Sequence, residues 1–397
     1  MLSNRKNTVF QSRAVYRWEF ITITAILLTL FSAWGWTKTL MQEALFVQGR
    51  GGYNNYRIPA LLTTQAGTLL AFCEGREGGD SSDIDLLVRR SEDGGKTWAP
   101  KQVVWDQGRN VCGNPCPVQD QDTGIIWLLL TWNDSTDSGK KLHDGTSKDT
   151  RRVYVCSSED DGRTWSNPIE ITATTKKKDW WWYATGPGVG IQLQKGPHKG
   201  RLVIPCDRTD KNGYASHIIY SDDHGKSWQL GGSVSGGCNE CQVVELADGA
   251  LMLNMRMQEN GQGKRGIATS KDGGQTWSEL RLDPVLVEPV CQASFLRYTL
   301  ASCNEKKRLL FSNPASAPSP GQSRADRVNM TVRLSYDEGR TWPVSKLLHE
   351  GPSAYSCLAV LPDGDIGCLY EGGETRYGQI VFARFSLEWL TDGKDCW

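Results

Sequence analysis

Three arginines lie near the ends of β-like segments in separate parts of the chain: Arg57 in YRIPALL, Arg256 in LMLNMR and Arg333 in MTVRLS. If the fold brings them together, their charges repel one another unless an anion neutralises them. A planar guanidinium binds a carboxylate through two hydrogen bonds, a geometry that lysine does not offer. The three residues therefore predict a pocket for a ligand with one carboxylate. Ordinary surface salt bridging is the alternative for any one of them.

A tyrosine and two carboxylates form a candidate catalytic set. Tyr355 and Glu240 fit a nucleophile–base pair, because a phenol with a reference pKa of about 10 is a poor nucleophile until a carboxylate takes its proton. Asp80, in the loop GREGGDSSDIDLL, is placed to protonate a leaving oxygen. It is the better candidate than Asp83, because the strand starts near Ile84. The set fits glycoside hydrolysis. If the anomeric carbon of the sugar bears a carboxylate, a neutral phenol approaches that carbon more easily than an anionic nucleophile does.

Two further residues are expected beside this set. Glu371 in CLYE is placed to orient and neutralise Arg57, and Tyr183 begins another β-like segment. Glu371 and Tyr355 also have a plain structural interpretation: Glu371 as an ordinary carboxylate at the rim, and Tyr355 as a tyrosine of an amphipathic strand.

The elements that must position these residues are marked by a repeated phrase, S-x-D-x-G-x-[T/S]-W. Its five copies occupy residues 91–98, 158–165, 221–228, 270–277 and 335–342. In each copy the Asp can accept hydrogen bonds from backbone N–H groups, the Gly allows positive φ, and the Trp can pack on a hydrophobic body. Five such turns, each following a β-like segment, indicate a repeat architecture.

A second repeat, a turn followed by an apolar segment, occurs at Gly67, Gly124, Gly200, Gly249, Lys307 and Gly364. The two repeats together predict four-stranded units of about 60 residues, and hence an all-β fold: a six-bladed β-propeller over residues 44–397. A sandwich and a solenoid are the rival folds. Residues 44–47 and 380–385 would share the closing blade. In such a ring the starts of first strands and the ends of second strands meet at one rim, where the candidate residues would converge.

The N-terminal residues have the composition of an export segment. Arg5, Lys6, Arg13 and Arg17 precede an apolar stretch from Phe20 to Trp36. Residues 1–36 therefore predict a signal peptide or, as the alternative, a membrane anchor formed by residues 20–36. We expect the propeller to be exported (secreted or periplasmic) or held at a membrane outside the cytoplasm.

Charge and cysteine usage narrow the function classes. The chain has 45 Lys and Arg residues and 45 Asp and Glu residues, so it has no excess of positive charge that would favour binding to nucleic acid. The spacings Cys112/Cys116 and Cys238/Cys241 come close to those of metal ligands, but the chain has only five histidines and no second matching pair. We expect no metal and no cofactor.

As an ordered set, these motifs resemble the exo-α-sialidase (neuraminidase) family. YRIP at residues 56–59 resembles the family's [F/Y]-R-I-P signature, and the five phrases resemble its Asp-boxes. EGR…DIDLLVRRS, NECQVVEL, LNMR, AYSCLAVL and CLYE follow in the family's order. The resemblance covers the chain from about residue 44 to its end.

The resemblance implies a six-bladed propeller and a metal-free retaining hydrolase of terminal sialic acids on oligosaccharides, glycoproteins or glycolipids. By position it implies a sugar-carboxylate clamp of Arg57, Arg256 and Arg333, supported by Glu371, with Asp80 as acid/base, Tyr355 as nucleophile and Glu240 as its base. Arg76 would join the polar pocket, and the Trp180–Trp182 run before Tyr183 would line a subsite or simply pack. The alternatives are a sialic-acid-binding propeller without catalysis, against which the presence of both Tyr355 and Asp80 argues, and a trans- or intramolecular sialidase.

Overall fold

The computed structural model describes residues 40–299, 306–319, 322 and 324–397. The predicted export segment, residues 1–36, lies outside these ranges. Within them, no helix has both the length and the apolar content that a membrane span requires.

The described chain is all-β, as predicted, with three short helices beside its strands. The first strands are β1 (Met41–Val47), β2 (Asn55–Thr63), β3 (Leu69–Arg76), β4 (Ile84–Ser91), β5 (Gln102–Trp105), β6 (Val111–Gln119), β7 (Ile126–Asn133), β8 (Arg152–Ser158) and β9 (Ile169–Glu170). The middle strands are β10 (Tyr183–Thr185), β11 (Ile191–Gln192), β12 (Leu202–Asp210), β13 (Gly213–Ser221), β14 (Gln229–Ser235), β15 (Cys238–Glu245), β16 (Leu251–Met257) and β17 (Lys264–Ser270). The last strands are β18 (Arg281–Val287), β19 (Ser294–Thr299), β20 (Arg308–Pro314), β21 (Val328–Ser335), β22 (Val344–Pro352), β23 (Ser356–Val360), β24 (Ile366–Gly372) and β25 (Gln379–Phe385). The helices are α1 (Gly139–Asp144), α2 (Thr172–Thr175) and α3 (Leu387–Leu390).

The strands form a β-propeller arrangement of antiparallel sheets in which chain neighbours pair. Strands β15–β18 form one four-stranded sheet and β19–β22 another, while β10, β12, β13 and β14 form a third with β11 also on β12. Strands β2–β9 form an eight-stranded sheet whose two halves are joined by a single parallel pair, Ile84 with Val111. The hydrogen bonding of the described residues thus separates fewer sheets than the six predicted, because this one contact joins two four-stranded sets.

The last sheet is built from both ends of the propeller. Its order is β1-β25-β24-β23, and Ala44 pairs with Val381 and Phe46 with Ile380. The predicted sharing of one blade by residues 44–47 and 380–385 is therefore present.

The repeated phrases form the expected turns. In the copy at 335–342, Ser335 Oγ accepts a hydrogen bond from the Gly339 N–H at 2.9 Å. Asp337 accepts from both the backbone N–H and the hydroxyl of Thr341, at 2.8 and 2.6 Å. The phrase tryptophans pack toward the core, and Trp228 is only 2% exposed.

The core lies between neighbouring sheets. Phe72, Leu86, Leu128 and Leu130, all fully buried, pack between the two halves of the eight-stranded sheet. The eleven described cysteines are free, and ten of them are buried, where the thiol acts as a small apolar group.

Candidate active site

One cavity of about 260 Å³ collects side chains from several sheets. Its wall includes six of the residues singled out in the sequence: Arg57, Arg76, Asp80, Glu240, Arg256 and Tyr355. Arg57 lies near the start of β2, Glu240 near the start of β15, and Arg76 and Arg256 near the ends of β3 and β16. The structure therefore brings them together at the rim where first strands begin and second strands end.

Irregular backbone at the strand starts helps to aim these groups. The β2 register shifts between Arg57 and Ala60, and Ile58 there has a φ of 62°, which is rare for a β-branched residue. The β6 register shifts in the same way, and Asn114 has a φ of 55°. Such bulges re-aim side chains and are common beside functional sites.

Buried carboxylates hold both bulges. Glu371 Oε1 accepts a hydrogen bond from the Ile58 N–H at 2.8 Å, and Glu74 Oε1 accepts one from the Asn114 N–H at 2.7 Å. Glu371 of β24 reaches the bulge of another sheet, in β2, whereas Glu74 of β3 reaches the bulge of β6, in the other half of the same eight-stranded sheet. Both left-handed residues are therefore fixed by contacts between separate four-stranded sets.

Tyr355 and Glu240 form a direct, buried hydrogen bond. The Tyr355 hydroxyl donates to Glu240 Oε1. Arg256 Nη1 donates to Glu240 Oε2 at 2.7 Å and to Tyr355 Oη at 3.1 Å. Burial raises the pKa of Tyr355 well above its usual value, and Glu240 raises it further, while Arg256 acts in the opposite direction. The phenol is therefore protonated, and its proton already points at an acceptor.

Glu371 forms an ion pair with Arg57, the residue that it was predicted to orient and neutralise. Arg57 Nε donates to Oε1 at 2.9 Å and Nη2 donates to Oε2 at 3.2 Å. The Glu371 carboxylate is fully buried and also accepts from the Tyr355 N–H at 3.1 Å. One carboxylate thus connects an arginine of the cavity to the backbone that carries the tyrosine.

Asp80 lies in the loop after β3, beside two arginines. Arg76 Nη1 donates to its carboxylate at 2.5 Å, and Arg57 Nη1 lies 3.7 Å away. The atoms packed around the Asp80 carboxyl partly displace water and so oppose its charge, but Arg76 and Arg57 together hold its pKa below the usual value. Its side chain is 72% exposed, so a ligand can reach it. Asp83 does not line the cavity.

The prediction for Arg333 is corrected by the structure: it does not line the cavity, and Arg327 does. Strand β21 begins at Val328, so Arg327 immediately precedes it at the rim. Arg333 lies six residues farther along, about 20 Å in an extended strand. There it donates to Asn313 Oδ1 at 3.3 Å. The sequence reading placed the start of this strand too late.

The prediction that Tyr183 contacts a ligand is also corrected. Tyr183 is fully buried in the core, and its hydroxyl donates to the Thr175 carbonyl at 3.3 Å. Trp182, its neighbour, lines the cavity instead. Because successive side chains of a strand alternate between faces, a choice of the wrong neighbour selects the wrong face.

Sequence reasoning missed the polar groups at the other side of the cavity. Arg151 donates to Asn114 Oδ1 at 2.6 Å, and its guanidinium lies 4.2 Å from the centre of the Trp182 ring. His143 stacks on Trp182 at 4.4 Å. Burial lowers the pKa of Arg151 to about 10 and that of His143 to about 4, so at neutral pH the first is charged and the second is not. No motif marks either residue.

Replacing Glu371 by Gln tests how strongly this carboxylate holds the site. The change removes the charge that compensates buried Arg57 and leaves an NH2 group facing N–H donors, so we expect a loss of about 3–5 kcal/mol in the free energy of unfolding. Glu92→Gln is the matched control, because Glu92 pairs with Arg90 and Arg163 while 61% exposed, and it should cost at most about 1 kcal/mol. Urea unfolding measures both. Equal losses would contradict the role assigned to Glu371.

Comparison with known proteins indicates one family. The family model described as "BNR repeat-like domain" matches residues 67–368. The chain is 37% identical to a sialidase of Micromonospora viridifaciens over 88% of its own length and 54% of the relative. It is 33% identical to an exo-alpha-sialidase of Aspergillus fumigatus, covering 86% of each, and 32% identical to sialidase-2 of Mus musculus, covering 88% of this chain and 96% of the relative.

Solved structures of sialidases share the fold of this chain. The Hadza microbial sialidase Hz136 superposes with a TM-score of 0.78 at 34% identity, over 88% of this chain and 69% of that one. An intramolecular trans-sialidase from Ruminococcus gnavus shares the fold, with a TM-score of 0.70 at 22% identity, over 85% of this chain and 96% of that one. The chain spans about half the length of the Micromonospora relative and 60% of a sialidase from Bacteroides fragilis. With a BNR model over most of its residues and sialidases at 30% identity or more that it covers almost completely, this chain belongs to the sialidase family.

Proposed function

We propose that this protein is a retaining exo-α-sialidase, which hydrolyses terminal α-linked sialic acids of oligosaccharides, glycoproteins or glycolipids without a metal or cofactor. The observation that carries the proposal is the Tyr355 phenol, hydrogen-bonded to Glu240 in a cavity whose five arginines include Arg57, Arg256 and Arg327. Sialidases are the retaining glycosidases that use tyrosine as nucleophile. This pair and the arginines account for both the reaction and the acidic sugar.

The sugar carboxylate binds Arg57, Arg256 and Arg327. Glu371 pairs with Arg57 and Glu240 with Arg256, whereas no carboxylate of the described residues lies within ion-pair distance of Arg327. The trio therefore keeps a net positive charge for an anionic ligand. Guanidinium forks suit a planar carboxylate, and their partial burial strengthens the attraction.

In the first step the Tyr355 oxygen attacks the anomeric carbon and passes its proton to Glu240. The bond from that carbon to the leaving oxygen breaks, and Asp80 protonates the leaving oxygen. In the second step water attacks the same carbon and gives a proton to Asp80. The bond to Tyr355 then breaks, and Glu240 returns the proton to the phenolate. Two displacements retain the anomeric configuration.

The charge of the substrate explains why a neutral nucleophile suits this site. The anomeric carbon of sialic acid bears the carboxylate, which repels an anion that approaches it. A phenol with a raised pKa approaches uncharged and ionises only as its proton moves to Glu240.

Asp80 must be protonated to act as the acid. In the free protein, Arg76 and Arg57 favour its charged form. A bound carboxylate adds negative charge beside these arginines, which raises the pKa of Asp80 and favours protonation when substrate is present.

The cavity volume, about 260 Å³, supports exo action. It lies just below the common range of about 300–1,000 Å³ for small-molecule sites, which suits one terminal sugar better than an internal chain segment.

For the whole chain we infer six blades and a location outside the cytoplasm. The eight-stranded sheet counts as two blades, since only the pair Ile84–Val111 joins its halves. The basic residues before the apolar stretch at residues 20–36 support export or membrane attachment.

Identification of the first product tests the proposed reaction. Incubation with α2,3-, α2,6- and α2,8-linked sialosides, followed by NMR during the first minutes, should show free sialic acid as its α-anomer before mutarotation. The β-anomer appearing first would contradict retention. An anhydro sugar or a sialylated acceptor would instead indicate the intramolecular or transfer variant, and binding without release a sialic-acid-binding protein.

Replacing Asp80 by Asn tests its role as acid. A natural sialoside needs a protonated leaving oxygen, so its turnover should fall about 10²- to 10⁴-fold. The aryl group of an aryl sialoside leaves as a stable phenolate and needs no acid, so turnover of this substrate by the variant should fall far less. Attack by water then limits the rate, and a burst of released phenol should appear.

Asp83→Asn is the matched control, because Asp83 is a carboxylate of the same loop that does not line the cavity, and its activity should stay near wild type. Equal losses on the natural and aryl substrates for Asp80→Asn would exclude Asp80 as the acid.

A further inference from the structure

Tyr377 contacts Arg57 and Arg327, two of the five arginines that line the cavity, although no sequence motif marks it. It lies in the short connection between β24 and β25, lines the same cavity and is partly buried. The Tyr355 ring also faces both Arg57 and Arg327, with its centre 4.9 and 5.6 Å from their guanidinium carbons. Tyr377 differs because it stacks more closely on Arg57 and forms a hydrogen bond with Arg327.

Its ring covers one face of Arg57. The guanidinium carbon lies 4.0 Å from the ring centre, closer than the 4.9 Å that separates it from the Tyr355 ring. The Glu371 carboxylate meets the edge of the same guanidinium. The negative face of an aromatic ring favours a cation that has lost water. Arg57 is thus fixed by an in-plane anion and by a stacked ring.

Its hydroxyl accepts a hydrogen bond from Arg327 Nη1 at 3.2 Å. The Val290 carbonyl accepts from Arg327 Nη2 at 2.8 Å. Both acceptors are neutral, so they orient the guanidinium without cancelling its charge. Val290 has a φ of 60°, a conformation that a β-branched residue keeps only when its surroundings hold it.

We propose that Tyr377 is a positioning residue that sets the relative orientation of Arg57 and Arg327 for the substrate carboxylate. This inference rests on the proposed function, and deepens it. A neutral tyrosine does what a carboxylate at the same place would not: it fixes both cations and leaves their attraction for the ligand intact.

A purely structural role predicts something different. Tyr377 also packs on the buried cluster of Ile58, Cys291, Ala354 and Tyr355. Tyr377→Phe keeps that packing and the ring over Arg57, and removes only the hydroxyl. A packing role predicts no change in ligand recognition for this variant, whereas the positioning role predicts a loss confined to ligands with the carboxylate.

The test measures dissociation constants for two probes: the 2,3-unsaturated glycal of N-acetylneuraminic acid, and the same glycal with its carboxylate converted to an amide. Tyr377→Phe should raise the dissociation constant of the carboxylate probe roughly threefold to tenfold, and should raise KM for a sialoside more than it lowers kcat. The amide probe should change by less than about twofold. In the background of Arg327→Lys, Tyr377→Phe should add almost nothing, because the two changes remove one interaction.

Tyr220→Phe is the matched control. Its ring lies 4.0 Å from Arg201 and its hydroxyl bonds Gln229 at 3.2 Å, but it does not line the cavity. This variant should bind the carboxylate probe as wild type does.

Unchanged binding of the carboxylate probe by Tyr377→Phe, an equal loss on both probes, or full additivity with Arg327→Lys would overturn the inference while leaving the proposed function intact. A wild-type protein that fails to bind the carboxylate probe would overturn both.

Discussion

The site depends on the buried hydrogen bond between the Tyr355 hydroxyl and Glu240. Away from water a phenol and a carboxylate interact strongly, and the direction of their proton is fixed before a ligand arrives. Arg256 contacts both partners and limits the charge that accumulates when the proton moves. A tyrosine without this base would be an inert aromatic residue in a polar cavity.

The fold serves this interaction because its sheets meet side by side around one cavity. Tyr355 precedes β23, whereas Glu240 lies in β15, 115 positions away along the chain. The buried carboxylates Glu371 and Glu74 join neighbouring four-stranded sets by accepting hydrogen bonds from the bulges at Ile58 and Asn114. The energy stored in these left-handed residues is offset by these contacts, so the same bonds stabilise the propeller and position the site.

Much of this arrangement could be predicted from the sequence. The repeated phrase contains its own turn chemistry, and a regular strand count gives the rim at which Arg57, Arg256, Glu240 and Tyr355 meet. The errors have local causes. Arg327 and Arg333 both border apolar residues, and only the hydrogen-bonding register shows that β21 begins at Val328.

Other features depend on tertiary contacts that leave no pattern in the sequence. Tyr183 and Trp182 are adjacent aromatic residues, and packing of the first into the core decides which one faces the cavity. Arg151 and Tyr377 lie beside strands and His143 lies in the short helix α1, and in all three the side-chain direction follows from neighbours distant in the chain. The joining of two four-stranded sets through Ile84 and Val111 is a single backbone contact of the same kind.

The measurement that tests this account most directly is turnover and ligand binding by Tyr355→Phe, with Tyr183→Phe as a buried tyrosine outside the cavity for comparison. If the Tyr355 phenol is the nucleophile, Tyr355→Phe loses turnover of a sialoside but still binds the unsaturated glycal, and Tyr183→Phe keeps both. Turnover by Tyr355→Phe at the wild-type rate would contradict the account.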